Sequence, residues 1–94
     1  MAEYRVLFVP AAEEDILSAY DWGCGFWGSG AAEYWLRDLY QNVFERLARF
    51  PFSCPLAPES AGMEVRQLIL GRYRVLYEVS GDTVIVLGLA GPAT

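Results

Sequence analysis

Apolar positions alternate or run nearly unbroken towards both ends of the chain and recur every three or four residues through its middle, so strands bracket a helical stretch. In the string EYRVLFV at residues 3–9, Tyr4, Val6 and Phe8 share one face and Arg5, Leu7 and Val9 the other, which predicts a mostly buried first strand. Pro10 suits a first helical turn, where its missing N–H costs nothing, and Glu13, Glu14 and Asp15 lie where the helix dipole favours negative charge. A first helix is expected from about residue 11 to residue 22, with Ala12, Ile16, Leu17 and Tyr20 inward. Gly23, Gly25, Gly28 and Gly30 then interrupt the pattern and predict a turn carrying Trp22, Cys24, Phe26 and Trp27. Ser29 stands as N-cap to a second helix, in which Ala32, Leu36, Leu39, Val43, Leu47 and Phe50 recur at helical spacing until Pro51 ends it.

A connector rich in Pro, Ser and Ala occupies residues 51–62, and strand-like patterns follow at 64–70, 72–79 and 83–89, separated by Gly71 and by Ser80, Gly81 and Asp82. Joined this tightly, the three strands form an antiparallel meander. A two-residue turn at Gly71 and Arg72 would place Leu68 and Leu70 on the same face as Tyr73, Val75 and Tyr77, covering the helices. Gln67, Ile69, Arg74, Leu76 and Glu78 then occupy the other face. The last strand, TVIVLGL, is apolar on both sides. The expected fold is α+β in the order β-α-α-β-β-β: a two-helix hairpin packed on one face of a four-stranded, largely antiparallel sheet.

With 94 residues, 54% of them hydrophobic, the whole of residues 1–94 is expected to form one domain. A chain of this size buries only about 60 to 65% of its unfolded surface, so a partner can supply much of the stability. The longest apolar runs fall well short of the roughly 20 residues of a membrane span, and the first ten residues lack a basic start followed by an apolar stretch. A cytoplasmic protein is expected, with Cys24 and Cys54 as reduced thiols outside any CxxC motif. Net charge is −5, with seven arginines, twelve acidic residues, no lysine and no histidine. That balance argues against broad electrostatic binding of nucleic acid and leaves room only for a local arginine patch. Without histidine the commonest metal ligand and general acid–base is missing, so no metal or cofactor is expected.

The string VRQLILGRYRVLYEV at 65–79, the turn SGD and the strand TVIVLGL resemble the carboxy-terminal half of RelE/ParE-superfamily toxins of bacterial toxin–antitoxin pairs, including the ParE-like plasmid stabilisation proteins. YRVLFVPAAEEDILSAYDW at 4–22 is similar to the family's first strand and helix, and ERLARFP at 45–51 to the end of its second helix. The resemblance implies a toxin held inactive in a hetero-oligomeric complex by a cognate antitoxin that wraps along sheet and helices. RelE-type members act on messenger RNA at the ribosome and ParE-type members on DNA gyrase. RelE-like ribonucleases use basic residues of the sheet to stabilise the phosphorane-like transition state. Arg74 matches best, with Arg72 in its turn and Arg66 one strand away, as candidates for a catalytic role that the sequence does not itself show. The tail reads GLAGPAT at 88–94, where many members carry basic residues. A toxin acting on gyrase or another protein target is therefore placed ahead of a ribosome-dependent ribonuclease, and a non-toxic relative that only binds its antitoxin is the third reading.

Arg72 and Arg74 can meet a phosphate, an acidic antitoxin segment or an acidic target, or pair at home with Glu78, Glu64 or Asp82; Arg66, beside Tyr77 at the sheet margin, reads as structural. Glu13, Glu14 and Asp15 point in different directions and read as dipole partners rather than a metal cluster. Tyr73 and Tyr77 read as core residues with satisfied hydroxyls. Trp22, Phe26 and Trp27 either form a partner-binding patch or fold back to cap the core. Ile69 and Leu76, on the open face, mark apolar surface that the antitoxin would cover.

Overall fold

A computed structural model describes residues 3–91, and its order of elements follows the pattern above: β1 (Arg5–Phe8), α1 (Pro10–Trp27), α2 (Ser29–Leu47), β2 (Arg66–Leu70), β3 (Tyr73–Ser80) and β4 (Thr83–Ala90). The sheet order is β1-β4-β3-β2. β4 pairs parallel with β1 and antiparallel with β3, and β3 pairs antiparallel with β2. The meander turns where glycine permits it: Gly71 (φ 60) and Gly81 (φ 61) each take the first position of a two-residue hairpin loop, as a type II′ turn requires.

The helices lie on one face of the sheet. Ala12 and Ile16 of α1 and Leu39, Val43 and Leu47 of α2 form one buried cluster with Leu68, Val75, Tyr77, Val84 and Val86 of the sheet. Tyr77 is fully buried, and its hydroxyl donates a 2.5 Å hydrogen bond to the Pro51 carbonyl, tying the sheet to the start of the connector. The connector then runs beside β2, where Gln67 N–H donates to the Pro55 carbonyl at 3.0 Å and Ala57 N–H to the Val65 carbonyl at 2.7 Å. Among the described residues, no helix is long and apolar enough to cross a membrane.

Five local expectations are corrected. α1 does not stop at residue 22; it continues through Gly23 and Gly25 to Trp27, and the only break is Gly28 at φ 90. Gly23 is a close-packing residue: a Cβ there would sit 2.9 Å from the Trp27 ring, so its bareness lets that ring fold against the helix. Gly28, not Ser29, occupies the cap position of α2, without a side-chain cap bond. α2 ends at Leu47 rather than running to Pro51, and Phe50 is exposed on the turn that follows. β1 is an edge strand buried on one face only, with Leu7 open to solvent, and Leu17 of α1 is likewise exposed beside the buried stripe.

Burial, with Cys54 beside it, raises the Tyr77 hydroxyl well above the usual tyrosine range. The folded pKa exceeds the unfolded value of about 10, so this contribution is whole below pH 10 and is lost as the pH rises through the folded pKa. Tyr77→Phe should cost about 1–3 kcal/mol in urea denaturation at pH 7, because the Pro51 carbonyl loses its donor. The variant should also show a shallower loss of stability than the parent as the pH is raised from about 9 to about 11.

Candidate partner-binding surface

Among the described residues no helix packs over the face of the sheet turned away from α1 and α2, which the connector reaches only at Glu59. On β2 and β3 this face carries Gln67, Ile69, Arg74, Leu76 and Glu78, as the alternation required. Ile69 is 57% exposed, and Leu76, half-buried, stands outside both the core and the shell packed on it. The parallel pairing of Leu7 with Ile85 extends this surface to the opposite edge, where Leu7 is 56% exposed. Ile85 and Leu87 of β4 lie between, also outside the core shell. Apolar side chains thus stand on all four strands of this face along a diagonal, with Glu78 opposite Ile85 and Arg74 opposite Ile69. Leu7 and β4 were missed as parts of it because a strand apolar on both sides gives no sign of which side is left bare.

The three candidate arginines, Arg66, Arg72 and Arg74, do not converge. Arg74, on the open face, forks onto Glu59 of the connector, with Nη1 to Oε1 at 3.0 Å and Nη2 to Oε2 at 2.8 Å. Its Nη1 also donates to Gln67 Oε1 at 2.8 Å. The expected local partners Glu78, Glu64 and Asp82 are not the ones it uses; Glu59, 15 positions away, was hidden because nothing in an irregular connector fixes where it returns to the sheet. The hydrogen bond from Arg74 holds the Glu59 carboxyl below its ordinary range, and that same bond raises the guanidinium. Arg66 lies at the sheet margin as expected, donating to the Cys54 carbonyl at 2.7 Å, 3.6 Å from Glu64 and over the Phe52 ring at 5.2 Å. Arg72, exposed in its turn, has no carboxylate within ion-pair distance among the described residues.

The aromatic residues divide between solvent and the shell around the core. Trp22 stacks on Phe26 with ring centroids 4.2 Å apart, and Phe26 is 71% exposed. Trp22 also meets Trp27 edge-on at 5.7 Å, Trp27 meets Trp35 at 6.4 Å, and Trp35 meets Tyr73 at 5.3 Å. Aromatic contact therefore runs from solvent into the shell around the core. Between α1 and the start of β3 these rings border a cleft of about 410 Å³, whose walls include Asp15, Trp22, Trp27, Arg72, Tyr73 and Leu89.

A bulge between Leu76 and Tyr77 shifts the register with β4, so that Leu89 faces Val75 on the helix side and its N–H reaches Asp15 Oδ2 at 3.1 Å. Asp15 therefore does not serve the first turn of α1, where Glu13 alone stands; it caps the uncovered end of β4. Among the described residues no three metal-ligating side chains come together. The non-basic tail beyond Gly91 lies outside the described residues.

This architecture recurs in chains of solved toxin–antitoxin systems. A chain of the chromosomal ParDE system of P. aeruginosa superposes with a TM-score of 0.82 at 18% identity, over 97% of this chain and 98% of that one. A chain of the RelBE2 toxin–antitoxin complex of Mycobacterium tuberculosis superposes with a TM-score of 0.71 at 26% identity, over 100% and 97%. No curated protein sequence matches. The family model for the ParE toxin of type II toxin–antitoxin systems, parDE, matches residues 6–90, and the chain belongs to that family.

The Glu59 fork predicts its own titration. A lowered folded pKa means that the pairing is intact above the unfolded value of about 4.3 and is lost as the pH falls through the folded one. Carbon-13 NMR of the Glu59 carboxyl should give a midpoint below that of a free glutamate, and Arg74→Gln should raise it toward the ordinary value, with a backbone hydrogen bond still lowering it.

Proposed function

We propose that this chain is a toxin neutralised by a cognate antitoxin that covers the open face of the sheet, and that it arrests growth through DNA gyrase or another protein target. The apolar diagonal of Leu7, Ile85, Leu87, Leu76 and Ile69 supports this reading: a sheet face with apolar side chains on every strand and no helix over it among the described residues is partner surface by its chemistry. A protein target is favoured over RNA cleavage by the state of the arginines. Arg74 spends its fork on Glu59 and Gln67, Arg66 is held by Cys54 and Phe52, and the chain holds no lysine or histidine to complete a cleavage site. The likeness to a chain of the RelBE2 complex supports the second reading, a ribosome-dependent ribonuclease in which Arg74 leaves Glu59 to meet a phosphate.

Induction of the chain alone should arrest bacterial growth, and co-expression of the open reading frame beside its gene should reverse the arrest. Purified chain should then inhibit supercoiling by gyrase without cutting messenger RNA on ribosomes; cleavage abolished by Arg74→Ala would establish the second reading instead. Ile69→Lys combined with Leu76→Glu should weaken antitoxin binding at least tenfold, because two apolar contacts are replaced by buried charge. Unchanged affinity in this double variant would place the antitoxin elsewhere.

A further inference from the structure

The cleft beside the helix hairpin is not part of the open sheet face, and its chemistry is of a different kind. Its walls are the rings of Trp22, Trp27 and Tyr73, with Leu89 at the strand end. Its two charged groups differ in what they have left to give. Asp15 already accepts the Leu89 N–H at 3.1 Å, whereas Arg72, in the hairpin turn, has no carboxylate within ion-pair distance among the described residues. A volume of about 410 Å³ suits one or two side chains, too little for a helix to lie along it. Aromatic walls favour an apolar or aromatic side chain, and an unspent guanidinium at the rim favours a carboxylate. A phosphorylated ligand fits less well, because Asp15 shares the cleft and the net charge is −5.

The cleft also adjoins the surface assigned to the antitoxin. Ile69 lies on the open face, and the turn at Gly71 and Arg72 carries the chain over to Tyr73, which lines the cleft. A segment leaving the open face at Ile69 therefore meets Arg72 first and the aromatic walls next. We propose that the cleft is a second docking point for the antitoxin, receiving an aromatic or branched apolar side chain beside a carboxylate that pairs with Arg72. The proposal rests on the reading of the chain as an antitoxin-bound toxin. It assigns Trp22, Trp27 and Arg72 to anchoring, and gives Trp22 and Phe26 a reason to stack in solvent.

The test is titration calorimetry of the full chain against the polypeptide encoded beside its gene, with Ser18→Trp to fill the cleft and Arg72→Glu to reverse its charge. Both positions are exposed, so both variants should keep the parent circular dichroism. Each should weaken binding tenfold or more, and Arg72→Glu should also flatten the salt dependence; Arg49→Glu, away from the cleft, should bind like the parent. Folded Ser18→Trp and Arg72→Glu chains that bind as tightly as the parent would overturn the proposal while leaving the antitoxin reading intact. If the parent chain itself binds nothing, the antitoxin reading falls and the proposal falls with it. Should Ser18→Trp misfold, Arg72→Glu decides alone. Saturable binding of a mononucleotide that Ser18→Trp abolishes, with antitoxin affinity unaltered, would also overturn the proposal by assigning the cleft to another ligand.

Discussion

Two helices can cover one face of a four-stranded sheet and no more, and much of this molecule follows from that shortage of covering elements. The hairpin of α1 and α2 spends its buried residues, Ala12, Ile16, Leu39, Val43 and Leu47, on one side, where they meet Leu68, Val75, Tyr77, Val84 and Val86. Among the described residues, no helix covers Leu7, Ile69, Leu76, Ile85 and Leu87. In a small domain with a thin stability margin, a bare apolar face of this kind is retained at a cost in solubility, and coverage by a second molecule offsets that cost.

The irregular parts of the chain carry its polar organisation. The connector supplies the acceptor for the buried Tyr77 hydroxyl through Pro51, the backbone partners of the β2 edge through Pro55 and Ala57, and the carboxylate for Arg74 through Glu59. It thus performs edge protection, core satisfaction and charge neutralisation without regular structure. Arg74, the best family match for a reactive cation, spends its charge holding the connector to the sheet.

Sequence patterning was most informative where one periodicity ruled. The alternation at 64–79 gave the hairpin at Gly71 and the faces of Leu68, Ile69, Arg74, Leu76 and Tyr77 correctly, and the family resemblance agrees with the family match over residues 6–90. It misled where one residue type serves opposite ends. Gly23 and Gly28 look alike in sequence, yet Gly23 continues a helix because its missing Cβ admits the Trp27 ring, while Gly28 ends it through its backbone angle. The aromatic cleft was legible only as three residues in search of a role: Trp22, Phe26 and Trp27 were noticed, but Asp15 and Leu89 meet through a bulge that no local pattern announces.

The parallel pairing of β1 with β4 places the strand that comes last in sequence between β1 and β3. No adjacent pair of strands connects the first strand to the rest until β4 is laid down, and nearly the whole described chain must be looped to close that contact. Such non-local closure slows folding and makes it wait until β4 has been synthesised. A chain interrupted before residue 83 lacks the strand that joins the two halves of the sheet, so a truncated translation product has no assembled scaffold on which to display its binding surfaces.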